Sequence, residues 1–124
     1  MHKSSIAVDR AATYQAEKSS PDQNRYVFSY TIKISNNSDQ NISLIARHWL
    51  ITDGNAQIRE VYGDGVIGQQ PLILPGESFI YASHTVLDTP IGFMEGKYKM
   101  RNTDGLSFNV HIQKFSLSQP HTIH

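Results

Sequence analysis

Tyr26-Val27-Phe28-Ser29-Tyr30-Thr31-Ile32-Lys33-Ile34 is the stretch that decides the fold. Its even positions (Tyr26, Phe28, Tyr30, Ile32, Ile34) are aromatic or β-branched, and the odd positions include Ser29, Thr31 and Lys33. Successive side chains of an extended chain point to opposite faces, so a period of two predicts a strand with one face in a core. A helix, with its period of about 3.6, would scatter the same residues around its axis.

Working outward, the polar run Asn36 to Asn41 ends this strand, because its side chains compete for backbone hydrogen bonds and favour turns. Ile42 to Thr52 is apolar on both faces, which predicts a central strand. Asp53-Gly54-Asn55 predicts a turn, since Gly and Asn accept positive φ cheaply, and Gln57 to Tyr62 returns as the hairpin partner. Gly63 to Pro71 reads as a Gly-rich loop, Pro75-Gly76-Glu77 as a turn, Phe79 to His84 as a strand and Thr89-Pro90-Ile91-Gly92 as a break. Lys97 to Asn102 alternates, with Tyr98 and Met100 on one face and Lys97, Lys99 and Arg101 on the other. Asp104-Gly105 is a hairpin signal leading into Ser107 to Leu117. The apolar set of that last strand starts even (Phe108, Val110, Ile112) and ends odd (Phe115, Leu117). A period of two changes phase only through an extra residue, which predicts a β-bulge near Gln113 and Lys114. At the other end, Ile6, Val8 and Tyr14 keep step on one more strand, joined to the rest by the polar stretch Ser19 to Arg25.

About seven to eight antiparallel strands with short turns and no convincing helix predict an all-β fold. The expected architecture is a two-sheet β-sandwich of immunoglobulin-like or fibronectin type III-like form, a single domain over residues 1–124, with Trp49 on its third strand as a core residue. The 11 basic and 11 acidic residues cancel, which argues against a general nucleic-acid binder. The absence of cysteine excludes disulfides, thiol catalysis and thiolate metal sites, and fits a reducing cytosol. Met1 to Ser5 lacks the apolar run of a signal peptide, and no apolar stretch approaches the roughly 18 residues that span a membrane.

Gly63-Asp64-Gly65-Val66-Ile67-Gly68 matches G-x-G-x-x-G. A dinucleotide site needs a helix after that motif, and Gln69-Gln70-Pro71 blocks one. The motif reads first as a structural inter-strand loop. A second reading is an anion nest formed by Gly63, Asp64, Gly65 and Gly68, with Arg47 as counter-charge. Arg47-His48-Trp49 reads as a core Trp flanked by an Arg that holds a carboxylate or loop carbonyl and a hydrogen-bonded His. His48, His84 and His111, with Asp53, Glu60 and Asp64 nearby, lack recognisable metal-ligand spacing, and His121 and His124 fall in a terminal tail. No G-x-S-x-G elbow marks a nucleophile. The stripe Lys97, Lys99, Arg101 is a solvated sheet face or a dock for an acidic partner.

Arg47-His48-Trp49 with Ile51-Thr52-Asp53-Gly54, Gly63 to Gly68, Gln70-Pro71, Pro75-Gly76-Glu77, Tyr81-Ala82-Ser83, Leu87-Asp88-Thr89-Pro90, Gly92 to Gly96 and Tyr98-Lys99-Met100 resemble, in order, the signature of the ApaG family. The chain departs from that pattern at His84 and at Gln113-Lys114. The resemblance implies a fibronectin-III-like sandwich of a bacterial cytosolic protein with no established enzymatic activity. It also implies links to dinucleoside-polyphosphate metabolism and to cobalt and magnesium tolerance, and a likeness to partner-recognition modules of F-box proteins. The leading expectation is a non-enzymatic accessory domain that docks another protein. The alternatives are a module for a phosphate-containing small molecule and a divalent-metal binder. No cofactor and no nucleic acid are expected, and open sheet edges allow a homodimer.

Overall fold

The structure, a computed structural model, describes residues 5–120. Eight strands follow in order: β1 (Ile6–Tyr14), β2 (Tyr26–Asn36), β3 (Ile42–Asp53), β4 (Ile58–Asp64), β5 (Leu72–Ile73), β6 (Ser78–Leu87), β7 (Ile91–Arg101) and β8 (Ser107–Ser118). They form a three-stranded sheet, β1-β2-β6, and a five-stranded sheet, β4-β3-β7-β8 with β5 beside β3. Every strand pair is antiparallel. The β1–β2 connection contains two single 3-10 turns, Ala16–Lys18 and Pro21–Gln23.

The even residues of β2 are buried, and they meet the inward residues of β3, β7 and β8 in one core. Trp49 sits at its centre at 2% exposure, with the rings of Tyr30, Tyr98 and Phe115 edge-on at 5.6, 6.3 and 6.0 Å. Edge-to-face contacts of this kind add to the burial of large rings. β3 is central, as its two-sided apolarity predicts. The phase change in β8 is a bulge: Met94 pairs Phe115 and Gly96 pairs Ile112, so Glu95 faces both Gln113 and Lys114. The bulged carbonyls are not left bare. Arg10 on β1 donates from Nε to the Gln113 carbonyl (2.8 Å) and from Nη2 to the Lys114 carbonyl (3.2 Å), stitching one sheet to the other.

Three features differ from the sequence reading. β7 begins at Ile91 rather than Lys97, and runs through two glycines. Those glycines are required by backbone approach: a Cβ on Gly92 would lie 2.4 Å from the Thr52 carbonyl oxygen, and one on Gly96 2.1 Å from that of His48. The turn after β3 places positive φ at Ala56 (64°), not at Gly54 or Asn55. The Asp53 carboxylate shapes that turn instead, accepting from the Asn55 and Gln57 amides at 2.8 and 3.0 Å. The two-residue strand β5 completes the list.

Asn36, fully buried, ends β2 as a hub. Its Nδ2 donates to the carbonyls of Gln40 (2.7 Å) and Ile73 (2.8 Å), while its Oδ1 accepts from the Ser38 amide (2.9 Å) and hydroxyl (2.6 Å). Asn36→Ala removes the buried donor to the Ile73 carbonyl and loosens the hold on β5, so a loss of about 2–4 kcal/mol is expected, read from the urea midpoint.

Candidate functional site

The G-x-G-x-x-G segment is half strand and half turn. Gly63 and Asp64 end β4, and Val66 to Gln69 close a tight hairpin: Gln69 donates to the Val66 carbonyl at 2.9 Å, with φ of 49° at Ile67 and 71° at Gly68. Positive φ at both central residues is the pattern of a type I′ turn, for which Gly at the second position costs least. Each glycine of the motif thus has a steric account. A Cβ on Gly63 would press on the Arg47 guanidinium at 2.9 Å, and one on Gly65 would collide with the Gln69 carbonyl oxygen at 1.9 Å.

A bulge in β3 sets the other side of this segment. Pairing with β7 slips between Leu44 and Ala46, and the freed Ile45 carbonyl accepts from the Gly65 amide (2.7 Å) and from Gln70 Nε2 (2.9 Å). Arg47 approaches through carbonyls: its Nη1 donates to those of Asp64 (3.1 Å) and Gly65 (2.9 Å). The structure therefore brings Arg47, Gly63, Asp64 and Gly65 together, while Gly68 lies at the exposed tip beyond them.

His48 points to the opposite face from Arg47 and Trp49. Its Nε2 meets Glu60 Oε2 at 2.7 Å and its ring lies 5.1 Å from that of Tyr62, which is 74% exposed. Register aligns Tyr62, His48, Lys97 and His111 in one row across β4, β3, β7 and β8. The next row is Asp64, Ala46, Lys99 and Asn109. Lys97, Lys99 and Arg101 have no carboxylate within ion-pair distance among the described residues. The sequence pattern finds the lysine stripe; Tyr62 and His111 join it only once the register is known. His84 lies on β6 in the other sheet, and no three His, Asp or Glu residues among the described residues converge as a metal site. His121 and His124 lie outside the described residues.

Between the sheets, the Tyr81 and Tyr98 hydroxyls share a hydrogen bond. Burial pushes both phenols well above the usual range, and raises Tyr30 as well.

Fold and surface together define a cysteine-free two-sheet β-sandwich, with a clamped glycine turn and a basic stripe on its outer sheet face. Among the described residues no helix is long and apolar enough to cross a membrane. A family model described as the ApaG domain matches residues 16–102, and the chain belongs to that family. It is 48% identical over 120 residues to Protein ApaG of Shewanella pealeana, covering 97% of this chain and 95% of that one. It is 45% identical over 119 residues to Protein ApaG of Aromatoleum aromaticum, covering 96% and 94%. The crystal structure of structural-genomics target SoR45 superposes with a TM-score of 0.93 at 44% identity, covering 100% of this chain and 94% of that chain. The name these relatives carry states no reaction.

Proposed function

We propose that the domain is a non-enzymatic docking module whose outer five-stranded face receives an acidic protein segment. The observation that carries this reading is a basic stripe left without ion pairs on a face that also carries Glu60, Asp64 and Glu95. The chain as a whole is neutral, yet Lys97, Lys99 and Arg101 stand side by side on β7 without carboxylate partners among the described residues. His48 and His111 flank them, and the exposed Tyr62 ring adds an aromatic contact at the edge. A cationic stripe beside an aromatic is a surface that an acidic partner complements, and such complementarity sets on-rate and register. The accessory role would then lie in binding, with no chemistry at the face itself.

The test is a titration of the 15N-labelled domain with a Glu/Asp-rich decapeptide containing one Tyr. Saturable shifts are expected at Lys97, Lys99, Arg101 and His111, weakening steeply as salt rises. The double variant Lys97→Glu/Lys99→Glu is expected to bind about tenfold or more weakly while remaining folded, since both side chains are exposed. Shifts away from this face, affinity untouched by the reversal, or tighter binding of a single-stranded oligonucleotide in a parallel titration would overturn the reading.

A further inference from the structure

The side of the sandwich away from Arg10 is open. β4 and β6 are the edge strands of their sheets, and the space between them is a cleft of about 340 Å³. Small-ligand pockets begin at roughly this volume. Its lining combines two cations with an apolar middle. Arg47 and Arg59 contribute the charge, and Trp49, Val61 and Val86 contribute apolar surface. Tyr30, Ser83 and Thr85 add hydroxyls.

Both arginines are held and neither is neutralised. Arg47 uses Nη1 on the Asp64 and Gly65 carbonyls, seated over Gly63, whose lack of a Cβ leaves it room. Arg59 reaches across to β6 and uses Nη2 on the Thr85 hydroxyl (3.1 Å) and the Val86 carbonyl (3.4 Å). Among the described residues neither guanidinium has a carboxylate in ion-pair range, and the other guanidinium nitrogens have no hydrogen-bond partner. The indole N–H of Trp49, which lines the cleft, is itself buried and without a hydrogen-bond acceptor among the described residues. A buried polar group without a partner costs stability, so its persistence calls for an explanation.

The spacing of the two arginines narrows the ligand. Arg59 pairs with Ile51, four residues along β3 from Arg47 and on the same face. At about 3.3 Å per residue their Cα positions stand roughly 13 Å apart. Arg47 is anchored on the Asp64 and Gly65 carbonyls and Arg59 on Thr85 and Val86, and the Trp49–Val61 pair lies between their register positions. We infer that the cleft binds an elongated organic molecule with an acid group, carboxylate or phosphate, at each end and an apolar body against Trp49. A guanidinium presents paired N–H groups that match either acid bidentately. Apart from Arg47, which borders both, the cleft lining is separate from the residues of the outer face on the other side of the same sheet.

The chain has one tryptophan, and it lines the cleft, so its fluorescence and its single indole N–H resonance report on the site directly. The probes are the linear α,ω-dicarboxylates from succinate to suberate, 1,6-hexanediol bisphosphate, and inorganic phosphate. A saturable shift of the Trp49 indole resonance is expected with the two-ended organic acids. Affinity should depend on chain length, and comparing suberate with the bisphosphate identifies the preferred acid. Arg59→Gln removes an exposed side chain and should weaken binding roughly tenfold or more, as should Arg47→Gln. Arg47 also holds the glycine turn, so Arg59→Gln decides the matter if Arg47→Gln fails to fold. The inference is overturned if no probe moves the Trp49 signals at millimolar concentration, if inorganic phosphate does so as well as the two-ended organic acids, or if Arg59→Gln binds as the parent does.

Discussion

Gly96→Ala is expected to unfold the domain or to cost about 3–5 kcal/mol, read as a collapse of the urea midpoint. The added methyl would sit 2.1 Å from the His48 carbonyl oxygen and 3.1 Å from its carbon, both main-chain atoms of the central strand. A flexible side chain could turn away from it, but a paired backbone cannot. β3 and β7 would have to separate where Trp49 pairs with Gly96, beneath the centre of the core. Forcing two paired strands apart beneath a packed core ranks among the larger single-site effects. Gly105→Ala is the control. That site has φ of 81° and nothing within 4 Å of the added carbon, so only the left-handed conformation is penalised, at about 1–2 kcal/mol.

Alkali should destabilise the protein steeply, beginning near pH 10. Burial raises the folded-state pKa of Tyr81 and Tyr98 above the ordinary phenol value near 10. Below that value both states keep the proton, and the contribution of these groups to stability is fully present. As the pH rises past it the unfolded phenols ionise and the folded ones do not, so the unfolded state binds fewer protons and stability falls. The limiting slope is about 1.4 kcal/mol per pH unit for each tyrosine, or about 4 kcal/mol from the pair over one and a half units. Urea midpoints measured between pH 9 and 11.5 test this. Tyr81→Phe/Tyr98→Phe removes the hydroxyl pair together and should flatten most of the slope, with a remainder from Tyr30. An unchanged slope would mean that these phenols are not what resists ionisation.

Most of the sandwich is legible in the sequence because its strands obey one rule. Where one face is buried and the other wet, as in β2 and the second half of β7, the period of two is explicit. The bulge in β8 is legible for the same reason, since a phase change has only one simple cause. The first half of β7 is not. Gly92 and Gly96 look like breaks in a one-dimensional reading, yet they are the positions where β3 lies too close for any side chain. The two-residue β5 is too short to show a period. The glycine motif is legible as a loop, but its division between the end of β4 and a type I′ turn depends on the Ile45 bulge across the sheet. Arg47 is visible from its neighbours His48 and Trp49. Arg59 is not, because its meaning comes from Thr85 and Val86 on the opposite sheet, and no local pattern tells which two edges will face each other.

Arg10, which fastens β1 to the bulge of β8, gives the sandwich the mechanics of a bound book. The spine is on that side, where main-chain carbonyls of one cover are gripped from the other. The fore-edge lies between β4 and β6, where Arg59 is the tie reaching from one cover to the other's Thr85 and Val86. Further in, the covers are bound by their facing pages: the Tyr81–Tyr98 hydrogen bond and the ring of Tyr30 against Trp49 hold them, so only the rim at β4 and β6 is left to Arg59.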